Sequence, residues 1–381
     1  MRRRTCAVLM LLLAFFIGSQ GTAEKMLTLT FAGDCTLGGE EQTRKNADSF
    51  DSLAAREGYG YFFENFRELF SGDDCTVVSC DGVLADSEAG AAKSKGYRFR
   101  GPEAFAQIFR EGSVEAVSLG NYHSGDYGGT GLESTRHALE SEGIGWAREK
   151  DFWFFEKDGI RVAFVSVDYG IFQRSRFNLR DRLLRMRADG EIQAAVVWVH
   201  QGKEYSPVHN AAQNQYAEFF ITEAGADLVV MTFPHVVQGI RILNSRSVFY
   251  SLGNFVCGGS NRIHRTEQTN SLYSLAVQTR LFFTDEGEYK GQQTVLYPAW
   301  ASGEERKNNY QPIRLTADQA VPVLEAMQRD TAWTLPAIQT DRNGYACVIL
   351  DYLPAEEKTA GETGTEGVPE AAPAKPDRNR P

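Results

Sequence analysis

Five short apolar runs in this chain each stop on an Asp or a His, and no other feature limits the available folds so strongly. Residues 27–31 lead into Gly33-Asp34, 76–78 into Ser79-Cys80-Asp81, and 116–119 into Asn121-Tyr122-His123. Residues 194–199 lead into His200, and 228–231 into Phe233-Pro234-His235. Short apolar runs bounded by turn residues read as buried strands. In open α/β sheets ligands bind in the crevice outside the carboxyl ends of the strands, so residues one step past such runs converge on one place. Two carboxylates and three imidazoles gathered there are the donor types of a divalent metal site.

The stretches between the runs support a layered α/β chain. Helices are expected over 62–70, 102–111 and 132–142, with Pro102 suited to a helix start because it has no N–H to leave unsatisfied. Residues 151–157 and 160–167 flank Asp158-Gly159, a hairpin signal, so the sheet is expected to be mixed. After an Arg-rich segment the alternation resumes, with a strand at 194–199, a helix at 211–223 and a strand at 228–231. A second hairpin is expected to pair 239–243 with 247–251 around Asn244-Ser245-Arg246. Beyond Gly258 the chain turns β-rich, at 273–283 and 292–297, with a helix near 316–327. This region reads as a C-terminal extension packed on the main sheet. The last residues, rich in Pro, Ala, Gly and Glu, read as a disordered tail.

Arg2-Arg3-Arg4, an apolar run over 7–17 and small residues over 18–23 read as a secretory signal peptide, too short to span a bilayer as a helix. An uncleaved, membrane-associating signal is the second choice. The rest of the 381 residues suffices for one large domain, with or without an appendage, at about 100–200 residues per domain. The expected organisation is a leader at 1–23, a main domain at 26–258, an extension at 259–353 and a tail at 354–381. The net charge of −10 argues against nucleic acid as a partner, since phosphate neutralisation needs a positive surface. One local exception is Arg174, Arg176, Arg180, Arg182, Arg185 and Arg187, which face only Asp181 within their segment. They could grip a polyanion, but a solvated helix face with Leu183, Leu184 and Met186 turned inward is the favoured reading. Beyond the leader lie Cys35, Cys75, Cys80, Cys257 and Cys347, an odd number without any CxxC, so a cysteine zinc site is not expected. A Cys35–Cys80 disulfide is conceivable, and small buried thiols are the preferred account.

Laid end to end, the strand-terminal residues resemble the poly-γ-glutamate capsule synthesis protein CapA family, a branch of the calcineurin-like metallophosphatase superfamily. Five stretches carry the resemblance. They are Phe31-Ala32-Gly33-Asp34 with Leu37-Gly38; Tyr97-Arg98-Phe99-Arg100-Gly101-Pro102; Asn121-Tyr122-His123 with Asp126-Tyr127-Gly128; His200-Gln201-Gly202 with Glu204-Tyr205; and Pro234-His235 followed by Gln238-Gly239 and Ser251-Leu252-Gly253-Asn254-Phe255. It implies an α/β (α+β) four-layer sandwich of the calcineurin-like metallophosphatase fold, with mixed central sheets.

The resemblance also implies the site. Asp34, Asp81, His200 and His235 fall at ligand positions, and His123 at the position of a proton donor or phosphate contact. Asn121, Tyr122, Asp126, Glu204 and Asn254 would line the site, and Arg98, Arg100, Arg174 and Arg176 could touch a polyanion. The chain departs from the family where Asp81 replaces Glu, Tyr122 replaces the metal-coordinating Asn, Gln201 replaces Trp, and Phe233 replaces the first His of His-Pro-His. A two-metal centre must hold its ions about 3.5–4 Å apart with ligands for both. With Tyr122 and Phe233 at two ligand positions, one Mn, Zn or Fe ion is expected in preference to two, and a site without metal stays open. His137, His209 and His264 match no family position and are expected on the surface.

Three functions remain open. The first is an extracytoplasmic protein that helps make, export or anchor an anionic envelope polymer such as poly-γ-glutamate, alongside membrane synthase components. The second is a secreted metallophosphoesterase acting on a phosphate-containing ligand. The third is a non-catalytic interaction module of an envelope complex.

Overall fold

A computed structural model describes residues 24–91 and 95–355. The expected leader and nearly all of the expected tail lie outside them.

The chain builds two sheets laid face to face. In the larger, β1 (Lys25–Thr36), β2 (Cys75–Cys80) and β3 (Ala116–Ser118) run parallel. In the smaller, β4 (Ile160–Asp168), β5 (Ala194–His200), β6 (Leu228–Thr232) and the strand Arg246–Phe249 run parallel, with an antiparallel strand at each outer edge. Strand side chains alternate faces with a period of two. Leu27, Leu29 and Phe31 therefore share one face of β1, where they pack with Phe164 and Trp198 of the opposite sheet. The Phe31 and Trp198 rings lie 6.2 Å apart at the centre of this buried layer. Each such side chain contributes about 1.5–3 kcal/mol through burial.

Helices cover both outer faces. α1 (Phe50–Glu57), α2 (Ala106–Glu111) and α3 (Gly128–Ser141) pack with the outer face of the larger sheet, and α4 (Tyr169–Ala188) and α5 (Ala211–Glu218) with that of the smaller. The result is a helix, sheet, sheet, helix sandwich of mixed α/β class. Both expected hairpins form. Asp158 and Gly159 have φ of 53° and 74°, and Asn244 and Ser245 have 49° and 54°. These paired positive values are what a two-residue type I′ turn requires.

Three expectations change. The helix expected over 62–70 is a 3₁₀ turn, Tyr59–Phe63, and a short helix, Arg67–Phe70. Phe63, Phe66 and Phe70 all turn onto Phe255, at 6.0, 4.8 and 6.0 Å. That packing decides the backbone over local propensity. α4 buries Ile171, Phe172, Leu179, Leu183 and Met186, whereas Leu184, expected inward, is 43% exposed. It stands about 100° around the helix from Leu183. The third concerns the C-terminal region, which is hydrogen-bonded into the larger sheet. β7 (Asn254–Cys257) pairs with β1, and β8 (Tyr273–Phe283) runs antiparallel to β1 from Lys25↔Phe283 to Ala32↔Ala276. β9 (Tyr289–Trp300) continues the sheet and pairs with Leu353–Pro354, where the tail was expected to begin.

Candidate functional site

The carboxyl ends of strands from both sheets meet at one rim. Ser118 and Ser166 hydroxyls lie 2.6 Å apart across the sandwich there, and the Gly120 N–H donates to Ser166 Oγ at 2.7 Å. At the same rim the β1–β2 register shifts between Ala32 and Asp34. A Cβ on Gly33 would lie 2.0 Å from the Gly253 carbonyl oxygen, so only glycine lets the two segments approach. The next residue, Asp34, donates its N–H to that oxygen at 3.0 Å, and its side chain faces the site. Asp81, one step past β2, donates its N–H to Cys35 O at 2.9 Å. From the smaller sheet, β5 ends on His200 and β6 leads into Phe233, whose N–H donates to Asp34 Oδ2 at 3.2 Å. Phe233 and His235 adopt φ of 107° and 59°. Such values are costly for residues with a Cβ and mark a segment held in shape by its surroundings.

Asp34, Asp81 and His200 are buried against one another. His200 stands between the carboxylates, with Nδ1 3.8 Å from Asp34 Oδ1 and Nε2 3.9 Å from Asp81 Oδ1. His235 Nδ1 lies 3.9 Å from Asp34 Oδ2. Asp34 Oδ1, Asp81 Oδ1 and His200 Nε2 are buried without a hydrogen-bond partner among the described residues. Burial raises the Asp34 carboxyl above the usual range, and the Asp81 charge adds to this against the pull of His200. Burial pushes Asp81 the same way, but His123, His200 and His235 together outweigh it and hold Asp81 low.

His123 is held on two sides. Its Nδ1 lies 2.7 Å from Asp126 Oδ2, and its ring packs on Phe99 at 4.4 Å. Asp126 is fully buried and also accepts from Lys95 Nζ at 2.6 Å and the Phe99 N–H at 2.8 Å. Desolvation lowers the His123 pKa, but the charges of Asp81 and Asp126 prevail and raise it. Asn121 is structural, donating to Cys80 O at 2.7 Å and accepting from the Ser124 N–H at 2.8 Å. Tyr122 turns its ring outward, 54% exposed, under Lys95 Nζ at 3.7 Å, so it is not placed as a ligand.

Asn254 Oδ1 lies 2.8 Å from His235 Nδ1, orienting that imidazole. A cleft of about 760 Å³ opens beside the cluster, lined by Asp81, His123, His235, Asn254, Glu204 and Tyr205 among others. The Phe233 ring stands edge-on to His200 at 5.1 Å, supplying bulk where the family has an imidazole.

The four arginines proposed to touch a polyanion are not brought together. Arg100 is buried, donating to Glu41 and Ala85 O, both at 2.6 Å, and so cannot reach a ligand. Arg98 donates to Lys95 O at 3.1 Å. Arg174 forms a bidentate pair with Glu149, and Arg176 lies over Phe177 on the outside of α4. His137 is exposed as expected, but His209 and His264 are half-buried, stacked on Tyr250 at 3.8 Å and Tyr205 at 3.9 Å. The five described cysteines are free thiols, with Cys35 and Cys80 register partners on β1 and β2. Sequence reasoning missed Lys95 and Thr232. Lys95 lies two residues before Tyr97 of the quoted stretch, and Thr232 directly precedes Phe233. The Thr232 hydroxyl lies 3.3 Å from His200 Nδ1 and accepts from Trp198 Nε1 at 3.2 Å.

A divalent cation suits this donor set. Each polar atom buried unpaired costs roughly 1–3 kcal/mol, and a cation between His200 Nε2 and Asp81 Oδ1 would pair two of the three. As the side chains stand, no three His, Cys, Asp or Glu among the described residues close on a single point. Two ligands of one cation, each at about 2.0–2.2 Å, stand roughly 3–3.5 Å apart. The 3.9 Å between His200 Nε2 and Asp81 Oδ1 exceeds this, and the 3.8 Å approach of Asp34 Oδ1 is to Nδ1, the ring nitrogen that faces Thr232. Neither Tyr122 nor Phe233 supplies a ligand for a second ion.

Fold and site thus define a mixed α/β sandwich with an Asp/His cluster at the carboxyl rim of its strands. The family model described as "Bacterial capsule synthesis protein PGA_cap" matches residues 28–259, more than half of the chain, and the chain belongs to that family. It is 24% identical over 254 residues to the "Capsule biosynthesis protein CapA" of Bacillus anthracis, covering 60% of this chain and 59% of that protein. It is 22% identical over 253 residues to the "PGA biosynthesis protein CapA" of Bacillus subtilis (strain 168), covering 61% of this chain and 64% of that protein. The match therefore spans about three-fifths of those relatives' own length. Among solved structures, a hypothetical protein from Thermus thermophilus aligns with a TM-score of 0.43 at 17% identity, covering 71% of this chain and 99% of that one. GAP50 of Plasmodium, titled "the anchor in the inner membrane complex", aligns at 0.36 and 13%, covering 84% and 99%.

Proposed function

We propose that this protein acts outside the cytoplasm in handling an anionic envelope polymer, such as poly-γ-glutamate, through a reduced site that holds one divalent cation. The observation that supports this most is the trio of buried, unpartnered atoms on Asp34, Asp81 and His200. These residues would hold the ion, with His235 beside them. A bound Mn, Zn or Fe ion would neutralise an anionic group of the ligand, polarise its carbonyl or phosphoryl oxygen, or lower the pKa of water. The names of the two relatives and the expected leader support the setting. Membrane synthase components are the partners this reading implies.

The chain's own residues supply the proton chemistry. Because Asp126 occupies Nδ1 of His123, Nε2 is the atom free to give a proton to a leaving oxygen or nitrogen. The charges of Asp81 and Asp126 raise the His123 pKa and so favour the protonated ring. Phe99 and Asp126 hold the ring, so little orientational freedom is lost when a ligand arrives.

Metal content is the test. Purified protein loaded with Mn, Zn or Fe and dialysed should retain about one equivalent by mass spectrometry. Asp34→Ala and His200→Ala should lose it, and His209→Ala, outside the cluster, should keep it. Wild type that retains no metal after any loading would overturn the single-cation site.

The His123–Asp126 pair favours one further reading, a metallophosphoesterase. Turnover of generic phosphate esters, abolished by His123→Ala and by Asp34→Ala, would support it. No turnover with any metal would exclude it and leave polymer binding or an interaction role.

A further inference from the structure

Helix α4 presents an outward face that the proposed site does not use. Its twenty residues bury Ile171, Phe172, Leu179, Leu183 and Met186, yet Phe177 and Leu184 stand 49% and 43% exposed. Seven residues apart, they fall within about 20° of each other around the helix, forming one apolar line along its outside. Arginines flank that line. Arg176 and Arg180 lie beside Phe177, their Cζ atoms 4.4 and 5.1 Å from its ring. On the helical wheel, Arg185 flanks the other side, about 80° from Phe177. Arg180 pairs with Asp181 at 2.8 Å and with Glu223 at 3.8 Å. The Arg176 side chain donates only to Gln173, and neither it nor Arg185 has a carboxylate partner among the described residues.

We infer that this face of α4 docks the protein on an anionic lipid surface. In a chain of net charge −10, a helix with unneutralised guanidinium groups is a local positive field, and an anionic surface is its complement. Charge alone would equally suit a soluble polyanion, but the exposed apolar line would not. Phe and Leu between arginines are the arrangement of a helix lying in the headgroup plane, where rings and aliphatic chains enter the acyl boundary and guanidinium groups meet phosphate. Arg174, Arg180 and Arg187 are already engaged, by Glu149, by Asp181 and Glu223, and by Asp227, so the lipid contact centres on Arg176 and Arg185.

Flotation of the full chain with vesicles tests this, comparing phosphatidylcholine alone with phosphatidylcholine containing one-third phosphatidylglycerol. The N-terminal segment is common to wild type and variants, and flotation is read at a lipid concentration where wild type is about half bound, so that a difference in α4 is visible. Arg176→Glu with Arg185→Glu should weaken binding to the anionic vesicles by roughly tenfold or more. Phe177→Gln with Leu184→Gln should also weaken it, with circular dichroism showing the fold retained, because both side chains are about half exposed. Phe177→Trp in an otherwise wild-type chain should show a blue-shifted emission increment on anionic vesicles. Equal flotation of wild type and both double variants would overturn the inference, as would an unshifted emission increment from the Phe177→Trp variant. Loss in the charge variant alone, with matching loss of soluble poly-γ-glutamate binding, would overturn it in favour of a polyanion groove.

Discussion

Nδ1 of His123 lies 2.7 Å from Oδ2 of Asp126, a carboxylate with no solvent exposure. Such a contact favours the imidazolium, and together with Asp81 it overcomes burial to raise the His123 pKa. The folded value lies above the unfolded one, so the charged ring stabilises the fold fully below the unfolded pKa, about 6.5. That contribution is lost as pH rises through the folded value. In metal-free protein the stability difference between wild type and His123→Gln should be largest near pH 5 and shrink through neutrality. Chemical denaturation across that range checks it, and NMR titration should place His123 lower in Asp126→Asn than in wild type.

The backbone at Gly33 leaves no room for a side chain. A Cβ there meets the Gly253 oxygen at 2.0 Å, and Gly253 is held by its own positive φ of 74°. Gly33→Ala should cost about 1–3 kcal/mol or more, with loss of the Asp34 position. Gly125→Ala, where a Cβ would meet nothing within 4 Å, is the control and should be nearly neutral. Urea unfolding of both variants measures the contrast.

Asp34 is a carboxylate whose burial raises its pKa, so the metal-free fold loses stability as pH climbs through that raised value. Asp34→Asn removes the charge while keeping the shape. At pH 7 the metal-free variant should melt no lower than wild type, whereas wild type alone should gain thermal stability on adding Mn or Zn. Thermal scans with and without metal separate the two effects. A variant that melts several degrees lower without metal would show that the carboxylate is needed for folding itself.

Arg100 looked like a ligand contact in sequence and is an internal strut. It joins Glu41 and Ala85 O across segments that frame the cleft, with its side chain 6% exposed. Arg100→Met should cost on the order of 2 kcal/mol, because Glu41 and a carbonyl lose a charged donor. The loss should appear in unfolding free energy at any salt concentration, unlike a surface polyanion contact, which salt would screen.

Much of this architecture is written locally. Strand runs followed by Asp or His, and turn pairs such as Asp158-Gly159, signal themselves within a few residues, because period-two burial and positive-φ turns are local requirements. That Asp34, Asp81, His123, His200 and His235 share one rim was legible for the same reason, since strand ends in an α/β chain converge. Tyr122 and Arg100 were misjudged because nothing local says which way a side chain points. One turns to solvent under Lys95, and the other is buried on Glu41.

What the sequence alone determined is the alternation of strands and helices, the family and the residues at the strand ends. What only tertiary structure decided is which of them face one another. His200 lies between Asp34 and Asp81 because two sheets distant in sequence close on a common core. β8 lies beside β1 because the C-terminal region returns to complete that sheet. Long-range packing also broke the helix expected around Phe66 and left Leu184 on the outside, since the sum of buried contacts outweighs the smaller preferences of each segment.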